Sequence, residues 1–236
     1  MFSVALIGPD GAGKSTLAEQ LERSFPLPVR RLYMGISLES SNVSLPTSRL
    51  AAAIKGRLQR RSSGKQIGSF AAVDSSAKTK GTFWRMARLL NRLAEEWYRQ
   101  FLSWKYRAQG YVVVYDRHFQ FDFELEASPQ ARSLSDRLHR WLLAHCYPSP
   151  DLVIYLDAPA EVLFARKGEA SVEWLEQRRH AFSRQGQQKA NFIRVDAVQP
   201  LDAVYREVST YILNHARAKW HGRLKPQTQA DSAHSR

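Results

Sequence analysis

Cysteine is almost absent from this sequence, whose 236 residues include one, Cys146. A single cysteine excludes an intrachain disulfide, which agrees with a reducing compartment and a cytoplasmic location. We expect Cys146 to be a small buried side chain near the end of a helix, because that role is far commoner than catalysis.

Long apolar runs are missing as well. The longest strongly apolar stretches, residues 112–115 and 152–156, have the length of β-strands and fall far short of the roughly 20 residues that cross a membrane. The first residues carry no basic region and lead directly into a glycine-rich motif. We therefore expect neither a membrane span nor a cleaved signal peptide.

Acidic residues are scarce relative to basic ones, 22 against 35, and the net charge is +13. Residues 46–108 hold 14 Lys or Arg and 3 acidic residues, so one segment carries most of this excess. Such a segment can meet phosphate-rich ligands, nucleic acid or an anionic membrane surface. A solvated basic loop followed by a helix with a basic outer face is the favoured interpretation, and nucleic-acid binding is the less favoured one.

Strands and helices alternate along the chain without an internal repeat. Apolar segments at 2–7, 29–34, 111–115, 152–156 and 192–195 predict five strands, and amphipathic segments follow them. This order predicts an α/β fold with a doubly wound, five-stranded parallel sheet, in one domain over residues 1–218. Residues 37–80 predict a basic, mobile insertion, and residues 219–236 a polar tail.

A long helix is predicted before the third strand. Thr82 is its candidate N-cap, and it should end near Gly110. Apolar and aromatic residues from Phe83 to Trp104 recur every three or four positions, which predicts one stripe packed in the core.

The most specific motif is GPDGAGKS at residues 8–15, which follows an apolar strand and opens a helix. Its glycines allow backbone N–H groups to surround phosphate oxygens, and the helix N-terminus adds partial positive charge. Lys14 can reach the β- and γ-phosphates, Ser15 can bind Mg²⁺, and Thr16 can approach the α-phosphate. The predicted nucleotide-binding residues are Gly8, Asp10, Gly11, Ala12, Gly13, Lys14, Ser15 and Thr16.

Two further motifs supply charge at the same edge of the sheet. Asp116 and Arg117 follow the third strand, where a carboxylate can hold Mg²⁺ and a guanidinium can clamp a phosphate. Arg166 and Lys167 precede Gly168 in a basic turn that predicts a lid over residues 160–190. Asp157 is expected to cap the following helix, whereas Asp196 either forms a turn or touches the nucleotide base.

Together these residues resemble the thymidylate kinase branch of the P-loop nucleoside monophosphate kinases. The resemblance rests on residues 8–16, 116–117, 150–159, 166–169 and 195–197, and spans roughly 1–35 and 110–215. It implies ATP and Mg²⁺ as cofactors and a nucleotide as acceptor. By the same resemblance, Asp10 contacts the acceptor's sugar and Arg117 holds its phosphate. Because position 11 is glycine and supplies no cation, the resemblance implies that Arg166 and Lys167 are the catalytic cations.

The acceptor half of the family pattern is different here. His118-Phe119-Gln120-Phe121 stands where the family packs a tyrosine-rich stretch on thymine, and Tyr33-Met34-Gly35 replaces the usual Arg-Glu-Pro. Three functions therefore stay open: a nucleoside monophosphate kinase, a kinase of a nucleoside or sugar-like hydroxyl, and a non-catalytic nucleotide-binding or nucleic-acid-associated protein. The resemblance also suggests a C2 homodimer, with the tryptophan-rich helix at its interface.

Overall fold

A five-stranded sheet forms the centre of the protein. The computed structural model describes residues 1–35, 77–121, 134–168, 170–187 and 189–223. The strands run β1 (Ser3–Ile7), β2 (Val29–Tyr33), β3 (Val112–Asp116), β4 (Leu152–Asp157) and β5 (Phe192–Asp196). They are hydrogen-bonded in the order β2-β3-β1-β4-β5, and every pair is parallel. The predicted doubly wound α/β architecture is therefore confirmed.

Helices cover both faces of this sheet. They are α1 (Lys14–Ser24), α2 (Ala77–Ala108), α3 (Leu134–His145), α4 (Ala160–Lys167), α5 (Val172–Gly186) and α6 (Leu201–Arg223). Residues of α1 and α6 pack in one apolar cluster, while Leu143 of α3 and Phe182 of α5 belong to the other. The three central strands are buried along their whole length, which explains their unbroken apolar runs.

The strand order places the candidate site. β1 lies between β3 and β4, so the chain winds away from it in both directions. Ligands of open parallel sheets bind at the carboxyl ends of the strands, where this reversal leaves a crevice. The residues that follow β1, β3 and β4 therefore meet at one edge, with Leu6 paired in register to Asp116.

Element boundaries differ from the sequence expectations in three places. Helix α2 begins at Ala77, so Thr82 lies within it and is not its N-cap. Helix α6 continues to Arg223, beyond the expected end at 218. The predicted basic insertion lies outside the described residues, except for positions 77–80, which belong to α2.

Where its side chains are described, most of the predicted apolar stripe of α2 is not in the core. Leu90, Trp97, Phe101 and Trp104 are 40–60% exposed, so the prediction was wrong for these four residues, and Phe83 and Met86 lie outside the described side chains. The inward face carries Leu89 together with five buried polar residues, Glu95, Glu96, Arg99, Gln100 and Ser103. The reason is that the partners on this face are polar: Arg99 donates to the Gly35 carbonyl oxygen, and Ser103 hydrogen-bonds to Tyr115. Glu96 likewise lies 2.9 Å from His139 Nε2.

Two further expectations from the sequence concern the burial of Cys146 and the absence of a membrane span. Cys146 is exposed, so the expected burial was wrong. Within the described part of the chain, none of the helices is both long enough and apolar enough to cross a membrane.

Candidate active site

The loop between β1 and α1 is shaped to surround an anion. Gly13 occupies the N-cap of α1 with φ 85° and offers no side-chain cap, so the first backbone N–H groups of the helix have no side-chain acceptor there. Ser15 and Thr16 are exposed on the first turn. A helix N-terminus of this kind can accept an anion, because its first backbone N–H groups and the helix dipole favour negative charge.

Lys14 is buried beneath this loop. Its Nζ donates to the carbonyl oxygens of Gly8 at 2.7 Å and Pro9 at 2.6 Å. These contacts hold the ammonium group inside the curve of the loop, where the phosphates of a nucleotide would lie. A bound phosphate offers this cation a charged acceptor in place of two neutral carbonyls, and charge-assisted hydrogen bonds are the stronger kind.

Helix α4 approaches the loop very closely at Gly11. A Cβ atom at this position would lie 2.7 Å from the carbonyl oxygen of Leu163, and the backbone has φ 86°. Only glycine allows this contact without displacing α4. The phosphate loop and the base of the predicted lid are therefore packed against each other.

Arg117 and Asp10 form an ion pair at the mouth of the loop. Arg117 Nη2 donates to Asp10 Oδ1 at 2.6 Å, and both side chains are about a quarter exposed. Partial burial tends to raise the pKa of Asp10, but the charges of Arg117, Lys14 and Lys167 outweigh it and hold that pKa below its ordinary value. Asp10 is thus a carboxylate that orients the arginine and collects three cations around the phosphate site.

Asp116 is the best-placed metal ligand among the described residues. Its side chain is 5% exposed, and its Oδ2 lies 3.9 Å from Arg31 Nη1. Its Oδ1 has no hydrogen-bond partner among the described residues. A buried carboxylate oxygen without a partner fits a cation. No cluster of three or more His, Cys, Asp or Glu side chains exists in the described ranges. One carboxylate and the Ser15 hydroxyl, completed by phosphate oxygens and water, is a donor set typical of Mg²⁺.

The two predicted lid cations have different surroundings. Arg166 Nη1 donates to the carbonyl oxygen of Ala197 at 2.9 Å, and its side chain lines a cavity of about 280 Å³ beside Gly13 and Thr16. Lys167, at the end of α4, acts electrostatically on Asp10. Gly168 then reverses the chain with φ 68°. Of the two predicted lid cations, Lys167 thus acts on the carboxylate of Asp10, and Arg166 borders the neighbouring cavity.

Asp157 and Asp196, which were expected to cap a helix or form a turn, have different roles in the structure. Pro159 is the N-cap of α4, so the expected capping role of Asp157 was wrong. Asp157 instead binds Arg179 and Arg194, since the strand end directs it towards α5 and β5. Asp196 Oδ1 accepts from Val198 N at 2.9 Å, which is the turn-forming alternative.

Sequence reasoning missed a group of buried polar side chains beside the site. Arg99 Nη1 donates to the carbonyl oxygen of Gly35 at 3.0 Å. The amide of Gln100 and both ring nitrogens of His118 are buried without a hydrogen-bond partner among the described residues. Burial, with a smaller contribution from the Lys189 charge, lowers the pKa of His118 to about 3, so its ring is neutral. In the sequence, this group could have been suspected from the polar residues that lie between the apolar ones in α2.

Comparison with known proteins rests on structure, because no family model and no curated protein matches the sequence. The deoxyadenosine kinase of M. mycoides, solved with the products dCMP and a flexible dCDP bound, matches with a TM-score of 0.50 and 13% identity. The alignment covers 90% of this chain and 99% of that one. The chain has the P-loop kinase fold. The thymidylate kinase branch that the motifs suggested stays a prediction.

Proposed function

We propose that this protein, which has the P-loop kinase fold, transfers the γ-phosphoryl group of a nucleoside triphosphate, with ATP as the donor, to a small acceptor. A nucleoside monophosphate is the first candidate for that acceptor. The observation that carries the proposal is the Arg117–Asp10 pair, which fixes a guanidinium beside a phosphate loop. A guanidinium in that place binds a second phosphate next to the donor's, which is the geometry that phosphoryl transfer between two nucleotides requires.

The donor half of the site comprises the loop and the cavity next to it. Residues 8–16 bind the triphosphate through backbone N–H groups and Lys14. The cavity lined by Arg166 and Ala197 holds the nucleoside end of the donor. Its volume suits part of a nucleotide, and Arg166 can stack on a base.

Ser15 and Asp116 are the residues that would hold Mg²⁺. When bound, the ion neutralises charge on the phosphate oxygens. The protein's own residues for that task are Lys14, which is buried under the loop, and Lys167, whose charge acts on Asp10. Because phosphoryl transfer proceeds by direct in-line displacement, positioning and charge neutralisation suffice, and no protein nucleophile is needed.

The acceptor half is formed by the ends of β2 and β3 and by the inward face of α2. Arg117 supplies a cation for a phosphate, while Gln100 and neutral His118 each offer a donor and an acceptor. Both are buried, and aromatic rings surround His118. Unpaired buried polar groups are costly, so a ligand that satisfies them is strongly favoured.

A second candidate is a kinase of the same fold that phosphorylates a hydroxyl group, as in a nucleoside or a sugar. The unpaired Oδ1 of Asp116 supports it, because a hydroxyl acceptor benefits from a nearby carboxylate base. The deoxyadenosine kinase with the similar fold is a nucleoside kinase by its name. Asp10 is the other carboxylate within the site.

The test is a phosphoryl-transfer screen. Purified protein is incubated with ATP and Mg²⁺ against nucleoside monophosphates, nucleosides and sugars, and mass spectrometry identifies the products. The Lys14→Ala variant should lose roughly a hundredfold or more in rate. The matched control is Lys105→Ala, an exposed lysine at the end of α2, which should retain wild-type activity. Tight ATP binding without any product would overturn the proposal.

Two variants separate the candidates. For a phosphorylated acceptor, Arg117→Ala should raise KM with little change in the affinity for ATP. For a hydroxyl acceptor, Asp116→Asn should abolish turnover while acceptor affinity and the Mg²⁺ dependence of ATP binding are kept, as expected of a lost base and not of a lost metal ligand. An Arg117→Ala enzyme with unchanged KM for a monophosphate would contradict the first candidate.

A further inference from the structure

The buried carboxylate of Asp157 is the centre of an ion cluster outside the phosphate site, in which Arg179 is largely buried and Arg194 is exposed. Its Oδ1 accepts from Tyr155 Oη and Arg179 Nε, both at 2.8 Å. Its Oδ2 accepts from Arg179 Nη2 at 3.2 Å and from Arg194 Nη2. Arg179 thus binds both oxygens in the bidentate arrangement that fixes a guanidinium in one orientation.

These contacts join three elements at one residue. Asp157 ends β4, Arg179 lies midway along α5, and Arg194 belongs to β5. The Asp157 carbonyl oxygen also accepts from Ala197 N at 2.7 Å, and Tyr155 Oη lies 3.4 Å from the Arg179 carbonyl oxygen. Burial tends to raise the pKa of Asp157, but the arginine and tyrosine hydrogen bonds outweigh it and keep the group ionised.

The cluster lies at the base of the lid. Helix α4 starts three residues after Asp157 and ends with Arg166 and Lys167, and α5 returns antiparallel after Gly168. Helices α4 and α5 pack on each other, so holding α5 at Arg179 also holds α4. Because the Leu163 backbone touches Gly11, a shift of α4 changes where Lys167 lies relative to the phosphate loop.

We infer that Asp157 is a positioning residue for phosphoryl transfer. It acts through Arg179 and α5 and sets the distance between Lys167 and the transferring phosphate. The inference rests on the proposed kinase function. Its first consequence is kinetic: loosening the contacts of Asp157 should lower kcat more than it weakens ATP binding, because Lys167 is displaced while the phosphate loop itself is intact and only the Arg166 side of the nucleoside cavity shifts.

The kinetic test compares Asp157→Asn with wild type, using titration of ATP binding and steady-state rates with the acceptor found in the screen. Asparagine keeps the shape and removes the charge that binds two guanidinium groups. A displacement of about 1 Å in a catalytic group costs up to about a hundredfold, so we expect kcat to fall roughly 10- to 100-fold. Arg179→Lys should behave similarly, because lysine cannot bind both oxygens. Arg184→Gln, an exposed arginine on the same helix, is the matched control and should change neither quantity.

A double variant separates positioning from general stabilisation. If Asp157 acts through Lys167, adding Asp157→Asn to Lys167→Ala should cost little beyond Lys167→Ala alone. A merely structural role predicts additive losses, and a parallel loss of kcat and ATP affinity would likewise overturn the inference. Additivity in this pair, with both single variants folded, is the decisive contrary result.

The inference can also be tested by a measurement that does not depend on enzyme activity. Hydrogen–deuterium exchange of residues 160–167 should be faster in Asp157→Asn than in wild type, while β1 and β3 remain equally protected. Equal exchange in 160–167 would overturn the inference even if the kinase is active. If the wild-type protein is inactive but Asp157→Asn still exchanges faster, the proposed function is refuted. The role of Asp157 in holding α5 and α4 is then still supported.

Discussion

The backbone at Arg117 is held in a conformation that few residues adopt. Its φ is 70°, which for a residue other than glycine is uncommon and costs conformational energy. The surrounding structure fixes it: Arg117 N donates to the Leu6 carbonyl oxygen at 3.1 Å, and the side chain pairs with Asp10. This backbone geometry turns the guanidinium towards the phosphate loop instead of along the strand.

The Asp10→Asn variant tests how much the ion pair contributes. Asparagine keeps the size of the side chain but removes the charge that orients Arg117. A hydrogen bond to a charged group contributes about 1.5 to 3 kcal/mol, so KM for a phosphorylated acceptor should rise roughly tenfold or more. Steady-state kinetics with varied acceptor measures this. A KM equal to that of wild type would show that Arg117 is held by its backbone alone.

At the residue scale the local structure around residues 8–16 could be predicted, because one motif specifies a strand, a glycine-rich loop and a helix. Asp157 shows the limit of that approach. Its position after a strand indicated a helix cap, but its partners Arg179 and Arg194 lie far along the chain and reach it only through packing. The burial of Gln100 and of the His118 ring was missed because it results from tertiary packing, although His118 stands in the stretch after Arg117 that differs from the family pattern.

At the scale of elements, the contact at Gly11 brings α4 and the predicted lid against the glycine-rich loop after β1. Gly11 and Gly110 have nearly equal φ values, 86° and 89°. A Cβ at Gly11 would collide with the Leu163 backbone, whereas a Cβ at Gly110 would meet nothing within 4 Å. The two positions therefore differ in their surroundings and not in their backbone conformation.

The pair Gly11→Ala and Gly110→Ala separates collision from backbone strain. Both should lose the roughly 1 to 2 kcal/mol that a left-handed alanine costs. Gly11→Ala should lose more, because α4 must move away. Urea unfolding of both variants measures the difference. Equal losses would mean that α4 adjusts freely to the loop.

Helix α2 shows why an element can be predicted correctly and oriented wrongly. Its three- and four-residue spacing of apolar side chains predicted a helix, and the helix is present. Burial of that stripe did not follow, because the inward face meets Tyr115 and Gly35 through Ser103 and Arg99. Periodicity gives the two faces of a helix, but only the tertiary partners decide which face is buried.

At the scale of the whole molecule, the edge of the sheet opposite the site is closed by Asp151. This carboxylate accepts from Ser3 N and Oγ at 2.9 Å each, from Lys219 of α6, and lies 3.4 Å from Arg107 Nη2 of α2. Burial tends to raise the pKa of Asp151, but the hydrogen bonds from Lys219 and Ser3 and the Arg107 charge lower it below 3.8. One side chain thus ties β1 to the helices on both faces.

Asp151→Asn should destabilise the protein by about 1 to 3 kcal/mol at neutral pH. Because the pKa of Asp151 is lower in the folded state, its contribution is complete above the ordinary value of 3.8 and is lost as pH falls through the folded value. The gap between wild type and variant should therefore shrink below about pH 3.8. Urea unfolding across that range measures it, and a gap independent of pH would contradict the assignment.

The exposed aromatic face of α2 bears on the homodimer suggested by the sequence, which remains a proposal. Trp97, Phe101 and Trp104 lie on it, and a large exposed apolar patch commonly marks a surface that is covered. We expect a second copy of this chain to cover it. Sedimentation velocity of wild type and Phe101→Glu should then show a dimer and a shift towards monomer; a monomeric wild type at all concentrations would contradict this.

The exposure of Cys146 has a practical consequence. It is the sole thiol in the sequence and follows α3, next to Tyr147, whose hydroxyl lies 3.4 Å from Glu96 Oε2 of α2. A maleimide dye or spin label can therefore be attached at one defined point without removing any other cysteine. Because the Trp97 ring centroid lies 4.8 Å from that of Tyr147, such a probe would lie near a natural quencher. Its fluorescence would report a displacement of α2 on addition of a candidate acceptor.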